Sequence, residues 1–166
     1  MKSKVYYILP SYNEALNIPT LLNSINTFYK KKKISIIVVI INDGSSDNTL
    51  SVIQKSKKKI SKQIKIVVLS HKVNLGLGTA LKTGFNYVFK NSRDNDIIVT
   101  MDTDNSHTIK LSYDLANIIM LKNKDIVIAS RYRQNSKIKG LEASRKFLSY
   151  TAAILFKIFY PIENVR

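Results

Sequence analysis

The sequence predicts an α/β fold, with a mainly parallel sheet sandwiched by helices in a single domain. Three observations predict it. Short β-branched apolar runs recur at residues 5–9, 35–41, 64–69, 97–101 and 126–129. They are near-continuous rather than alternating, as expected of strands buried on both faces. Segments with helical apolar spacing lie between them, so each strand-to-strand step is a right-handed crossover.

Each helix has its own signature. Leu21, Leu22, Ile25 and Phe28 share one face, with Asn17 placed to cap and Pro19 in the first turn. Residues 49–56 continue from a Gly-Ser-Ser-Asp turn. Residues 80–89 carry Ala80, Leu81, Phe85 and Val88 in register, and residues 111–121 carry Leu111, Leu115, Ile118 and Ile119. No internal repeat is present.

A chain of 166 residues is long enough for one sizeable core. No apolar run reaches the ~20 residues that span a bilayer, and the N-terminal apolar stretch is too short for a signal-peptide core. The absence of cysteine excludes disulfides and thiolate zinc sites. A cytoplasmic protein, associated with the cytosolic face of a membrane, is expected. The net charge of +16 suits an anionic partner. Its two densest clusters, Lys30 to Lys33 and Lys55 to Lys65, fall at predicted helix ends and loops and read as solvated faces. The aromatic-plus-basic pattern of an RNA-binding sheet is missing, so no nucleic-acid partner is expected.

The polar residues are not scattered. "PSYNE" (10–14), "NDGSSD" (42–47), "HKVNLGLGTA" (71–80), "MDTDNSH" (101–107) and "SRY" (130–132) each follow a predicted strand. In a parallel sheet those carboxyl ends share one edge, where open α/β folds bind ligands. If the fourth strand continues, Asp102 and Asp104 point to one side. Two such carboxylates suit Mg2+ or Mn2+, with positions left for substrate phosphates. Asn105 and Ser106 can support them, and His107 reads either as a ligand-orienting group or as a surface turn residue. Asp43 reads as part of an Asx turn before a helix cap, as an acceptor for a base or ribose, or as both, with Asp47 or Ser46 capping while Asp43 faces the cleft. Gly76 and Gly78 do not have the spacing of a dinucleotide fingerprint. They suit a tight turn into a helix whose N-terminus faces the cleft and favours anions. Arg131 and Arg145 are the planar cations best suited to a phosphate.

Taken in order, these motifs resemble glycosyltransferase family 2 with its A-type (GT-A, Rossmann-like) fold, and within it the dolichyl- or polyprenyl-phosphate sugar transferases. The resemblance covers essentially the whole chain. "PSYNE" matches the segment that wraps the nucleotide, which implies nucleotide contacts for Pro10, Tyr12 and Glu14. "NDGSSD" matches a paired-acid motif in which Asp43 corresponds to the base-contacting acid and Asn42 replaces the other. "GLGTA" matches a Gly-Leu-Gly-x-Ala loop, making Gly76 a nucleotide-sugar contact along with Asp102. "MDTDNSH" resembles Met-Asp-Ala-Asp-Leu-Ser-His, and "ASRY" resembles Gly-Ser-Arg-Tyr. Gly140, Arg145 and Ser149 echo a pattern that lines the acceptor side.

The resemblance implies inverting, metal-dependent transfer of a hexosyl group from GDP-mannose or UDP-glucose to a polyprenyl or dolichyl phosphate. Asp102 and Asp104 would hold the metal. Asp104, Arg131 and Arg145 would carry the chemistry, and Arg131, Arg145 and Ser149 would grip the acceptor phosphate. Relatives continue with an Asp-x-Thr-x-Gly-Phe-Arg segment beyond the point where this chain stops. Residues 1–166 are therefore read as a C-terminally truncated catalytic domain. Residues 144–160 (SRKFLSYTAAILFKIFY) have a basic start and an apolar body. They suit a helix lying on an anionic membrane surface, or equally one that packs on the sheet or on further C-terminal residues. Two alternatives stand beside this reading: a family member acting on a saccharide or another acceptor, and a degenerate module that binds nucleotide sugar without catalysis.

Overall fold

A computed structural model describes residues 3–129. The chain forms two compact units, Met1–Asp125 and Ile126–Arg166, and every element below belongs to the first. The order is β1 (Lys4–Ser11), α1 (Ile18–Tyr29), β2 (Ser35–Asp43), α2 (Thr49–Lys57), β3 (Ile64–His71), α3 (Leu77–Asn91), β4 (Ile97–Thr100) and α4 (Ile109–Lys122). The four strands form one parallel sheet in the order β3-β2-β1-β4.

Burial explains the continuous apolar runs. From Tyr6 to Leu9 and from Val38 to Ile41 every residue is at most 1% exposed, because helices cover both faces of the central strands. One face packs on α1, α2 and α4 through Tyr7, Leu9, Val38 and Ile40, with Leu21, Ile25, Ile53 and Ala116 opposite. The other packs on α3 through Tyr6, Ile8, Val39 and Ile41, against Ala80 and Val88. Each such apolar side chain stabilises the fold by about 1.5–3 kcal/mol when fully buried. A methyl group added at Gly84 of α3 would lie 2.5 Å from an Ile8 side-chain carbon, so this glycine sets how closely the helix approaches the sheet. On the opposite face the Tyr7 hydroxyl lies 2.8 Å from both the Tyr29 hydroxyl and Ser112 Oγ, satisfying polar atoms deep in the core.

Three expectations are corrected. Residues 126–129 carry no strand, and Ile126 and Ile128 are 77% and 78% exposed. The sheet of the described residues ends at β4, which pairs with β1, and no described strand pairs with the 126–129 run. β4 also stops at Thr100, one residue short of the predicted end. Asn17 occupies the N-cap position of α1 but its side chain makes no cap bond, because its amide nitrogen donates to Glu14 Oε2 at 2.7 Å.

Candidate active site at the carboxyl edge of the sheet

The loops leaving β1, β2, β3 and β4 meet at one edge and are tied to one another by side chains. Thr103, 2% exposed, donates from Oγ1 to the Pro10 carbonyl (3.2 Å), and Asn105 Nδ2 donates to the Asn17 carbonyl (3.1 Å). The β4–α4 loop is thereby fixed to "PSYNE". Asn13 in turn faces the β2–α2 loop. Its side-chain oxygen accepts from the amides of Ser46 (2.9 Å) and Asp47 (3.3 Å), and its own amide donates to Ser45 Oγ (3.0 Å). Asn13 sits at φ 57, a left-handed conformation that Asn tolerates better than most residues. Thr49 Oγ1 accepts the Glu14 amide at 2.8 Å, joining the start of α2 to the same corner.

The two acids of "NDGSSD" turn to different partners. Asp47, just before the N-cap residue of α2, holds the start of that helix: its Oδ1 accepts the Thr49 amide (2.9 Å) and the Thr49 hydroxyl. That hydrogen-bond pair holds its carboxyl below the usual carboxylate range. Asp43 is 3% exposed and turns toward α3. Its Oδ1 lies 2.6 Å from His71 Nδ1 and accepts the Leu75 amide (3.0 Å), while Oδ2 accepts the Gly76 amide (2.9 Å). Burial pushes its pKa up, but His71 and the two amides outweigh that and leave it below the ordinary value. Asn42, on the other face of β2, is 5% exposed, and its Oδ1 has no hydrogen-bond partner.

Two glycines make the β3–α3 turn possible. Gly44 has φ 65, and a methyl group there would fall 2.1 Å from the Val73 carbonyl carbon, so two loops cross almost in contact. Gly76 has φ 85 and immediately precedes α3. Gly78 lies inside the first turn of α3, which begins three residues before the predicted start, and takes no part in the turn. No side chain caps this helix, and residues 72–79 are exposed, so its N-terminal amides open toward the edge.

The paired acids follow β4 as anticipated, although not because the strand continues. Exposure still alternates after Thr100: Met101 and Thr103 are buried, while Asp102 and Asp104 are exposed. Thr103 fixes that alternation through its bond to Pro10. Asp104 Oδ1 accepts the Ser106 amide at 2.9 Å. The side chain and then the amide of Ser106, with His107 nearby, hold its carboxyl below the usual range, keeping it ionised. Asp102, Pro10 and His107 line one cleft of about 180 Å³, closed by Thr100, Met101 and the α3 residues Leu77 and Leu81.

No cluster of three or more His, Cys, Asp or Glu occurs among the described residues. Two exposed carboxylates beside an open cleft fit a hard divalent cation that takes its remaining oxygens from substrate and water. They do not fit an all-protein metal cage.

Of the other predicted contacts, Tyr12 is 46% exposed and Glu14 is engaged with Asn17. Arg131, Arg145, Ser149, Gly140 and the 144–160 segment lie outside the described residues. The sequence reading passed over Asn13, Thr103, His71 and Thr83. Their roles depend on which loop lies beside which, and only strand order supplies that.

An open parallel sheet with its polar loops gathered at one edge defines a ligand-binding α/β domain. The fold resembles solved GT-A glycosyltransferases. A mannosyltransferase from Pyrobaculum calidifontis in complex with GDP-mannose and Mn2+ is 21% identical with a TM-score of 0.56, over 71% of this chain and 33% of that one. Glucosyl-3-phosphoglycerate synthase from Mycobacterium tuberculosis, in complex with Mn2+, UDP-glucose and phosphoglyceric acid, is 17% identical with a TM-score of 0.59. That match covers 96% of this chain and 51% of the synthase.

Residues 6–164 match glycosyl transferase family 2, and the chain belongs to that family. Curated relatives include a dolichyl-phosphate beta-glucosyltransferase of Trichomonas vaginalis, 30% identical over 86% of this chain. A UDP-N-acetylglucosamine–dolichyl-phosphate N-acetylglucosaminyltransferase of Methanococcus voltae is 26% identical over 86%, and a dolichol-phosphate mannosyltransferase of Pyrococcus furiosus is 29% identical over 95%. The chain spans 44%, 57% and 42% of the lengths of these three relatives.

Proposed function

We propose that this chain is the catalytic domain of an inverting, metal-dependent enzyme that transfers a hexosyl group from GDP-mannose or UDP-glucose to a polyprenyl or dolichyl phosphate. The observation that carries this reading is the pair Asp102 and Asp104, both exposed in the loop after β4, with Asp102 lining the cleft. The dolichyl-phosphate transferases among the relatives support the acceptor class. The Mn2+ and nucleotide-sugar complexes among similar folds support the donor and a cofactor of the Mg2+ or Mn2+ type.

Pro10, Tyr12, Glu14, Asp43 and Gly76 form the nucleotide side of the site. Asp102 and Asp104 hold the divalent ion, which supplies charge neutralisation at the donor diphosphate when bound. An acceptor phosphate oxygen attacks the anomeric carbon from the face opposite the diphosphate. One C–O bond forms as the other breaks, and the configuration inverts. A phosphate monoester is largely ionised at neutral pH, its second pKa being ~6, so the chain need supply no general base. Arg131, Arg145 and Ser149 are assigned to the acceptor phosphate on family resemblance.

The substrate lies in a membrane, and the 144–160 segment is assigned to its anionic cytosolic surface. Among the described residues no helix is long and apolar enough to cross a membrane. Calorimetry with GDP-mannose and UDP-glucose, with and without Mn2+, tests the reading on wild type and Asp104→Ala. Metal-dependent binding of one donor, lost in the variant, is expected. Folded wild-type protein that binds neither donor would overturn it.

A further inference from the structure

The buried Asp43 carboxylate has a side-chain partner that the proposed reaction does not use. His71 ends β3 and stands directly beside Asp43 in the β2–β3 register. Its Nδ1 lies 2.6 Å from Asp43 Oδ1, and its Nε2 lies 3.0 Å from the Thr83 hydroxyl in the second turn of α3. A Thr83 O–H donating to Nε2 leaves the ring proton on Nδ1, where it donates to the carboxylate. The same carboxylate accepts the amides of Leu75 and Gly76, the two residues that precede α3. A closed circuit results, running from the end of β2 through the end of β3 to Thr83, and back through the α3 N-terminus to Asp43. Leu77 and Leu81 of that helix form a wall of the cleft.

We propose that His71, held in one tautomer by Thr83, is a positioning residue for nucleotide binding: it locks Asp43 in the rotamer that sets the Leu75–Gly76 turn and the α3 N-terminus against the cleft. The inference rests on the nucleotide-sugar reading of the site. The two amides orient the carboxylate only relative to the loop that it has to hold, because both come from that loop. The ring comes from a strand of the sheet and anchors the carboxylate to a rigid element. Gly76 at φ 85 needs such a hold, because glycine in a turn gives up more conformational freedom than any other residue.

The test uses the 166-residue chain with Mn2+ and UDP or GDP as probes. Calorimetry gives Kd, and hydrogen exchange reports on the Leu75 and Gly76 amides. In His71→Leu, Kd for whichever nucleotide binds wild type should rise about tenfold, and those two amides should exchange at least tenfold faster. His71→Asn carries an N–H near the Nδ1 position and should recover most of both effects. Thr83→Val should show a smaller change in the same direction, reversed in Thr83→Ser.

Wild-type protein that binds neither UDP nor GDP would overturn the site reading, while the exchange measurement still judges the clamp. Wild-type-like Kd and exchange in His71→Leu would overturn the present inference alone. A lowered melting temperature without change at Leu75, Gly76 or Kd would do the same, as would a His71→Asn variant no better than His71→Leu. Should His71→Leu fail to fold, the Thr83→Val and Thr83→Ser pair decides between the same outcomes.

Discussion

The two edges of the sheet carry opposite kinds of polarity. At the carboxyl edge Asn13, Asp43, Asp47, Thr103 and Asn105 each bond across to a different loop. At the amino edge Lys30, Lys31, Lys33, Lys55, Lys57, Lys58, Lys59 and Lys62 are exposed. Asp43–His71 and Lys110–Asp114 are ion pairs among the described residues, and none of these lysines is in either. Lys32 in the first cluster is half-buried, its Nζ 4.8 Å from the Phe28 ring centroid and 4.6 Å from that of Tyr113. Backbone ties do reach this edge, with Asn26 Oδ1 accepting the Ser61 amide (3.0 Å) and the Tyr29 carbonyl accepting Gln63 Nε2 (2.7 Å). Those ties hold the chain, not the charges. Cross-loop bonds occur at both edges, so what sets the carboxyl edge apart is the exposed pair Asp102 and Asp104 among its bonded loops, not the net charge.

The comparison is broken most sharply at the acids left free on the carboxyl edge. Asp104→Ala should lower transfer activity by about 10²-fold or more, as loss of a preorganised charge contact at a reacting centre does. The melting temperature should hardly move, because the side chain is exposed. Steady-state rates and a thermal melt on the same preparation check both halves.

The knots between loops come next. Gly44→Ala adds a methyl group 2.1 Å from the Val73 carbonyl carbon, at φ 65. It should cost about 3 kcal/mol in urea denaturation, from strain and overpacking together. Tyr7→Phe removes the hydroxyl shared by Tyr29 and Ser112 beneath the same sheet. A loss of about 1–3 kcal/mol is expected, because the buried Tyr29 hydroxyl is left unpaired while Ser112 keeps the Ile109 carbonyl.

Acidification should then separate the edges gradually. The folded pKa of Asp43 lies below its unfolded value. Its stabilisation is therefore complete above about pH 4, where the unfolded carboxylate is also ionised, and is lost as pH falls through the folded value. Urea midpoints should decline below pH 4, and Asp43→Asn should flatten that decline. Lysine does not titrate in this window. Smallest of all, neutralising Lys57, Lys58 and Lys59 to Gln should change stability by no more than about 0.5 kcal/mol each. A large loss at any of the three would mean that the amino edge is built after all.

Much of the site was legible because strands and carboxyl ends are local properties. Five apolar runs marked the strand candidates, and four of them form the sheet. The fifth, 126–129, is as apolar as the others but has no ladder partner among the described residues, and hydrophobicity alone cannot supply one. That "MDTDNSH" places two acids in the loop after β4 was readable from the sequence. The reason Asp102 and Asp104 share the solvent side was not, since it lies in the bond from Thr103 to Pro10, a contact across 93 positions.

By itself the sequence determined the α/β class, the edge where the polar loops collect, the two acids placed there and the family. These follow from residue type and spacing over a few neighbours. Tertiary structure alone decided that Asp43 is held by His71, Leu75 and Gly76. It also decided that Gly44 must be glycine because Val73 passes against it. Each of these depends on strand order and register, which bring residues about 30 positions apart within hydrogen-bond reach, and no local pattern encodes that distance.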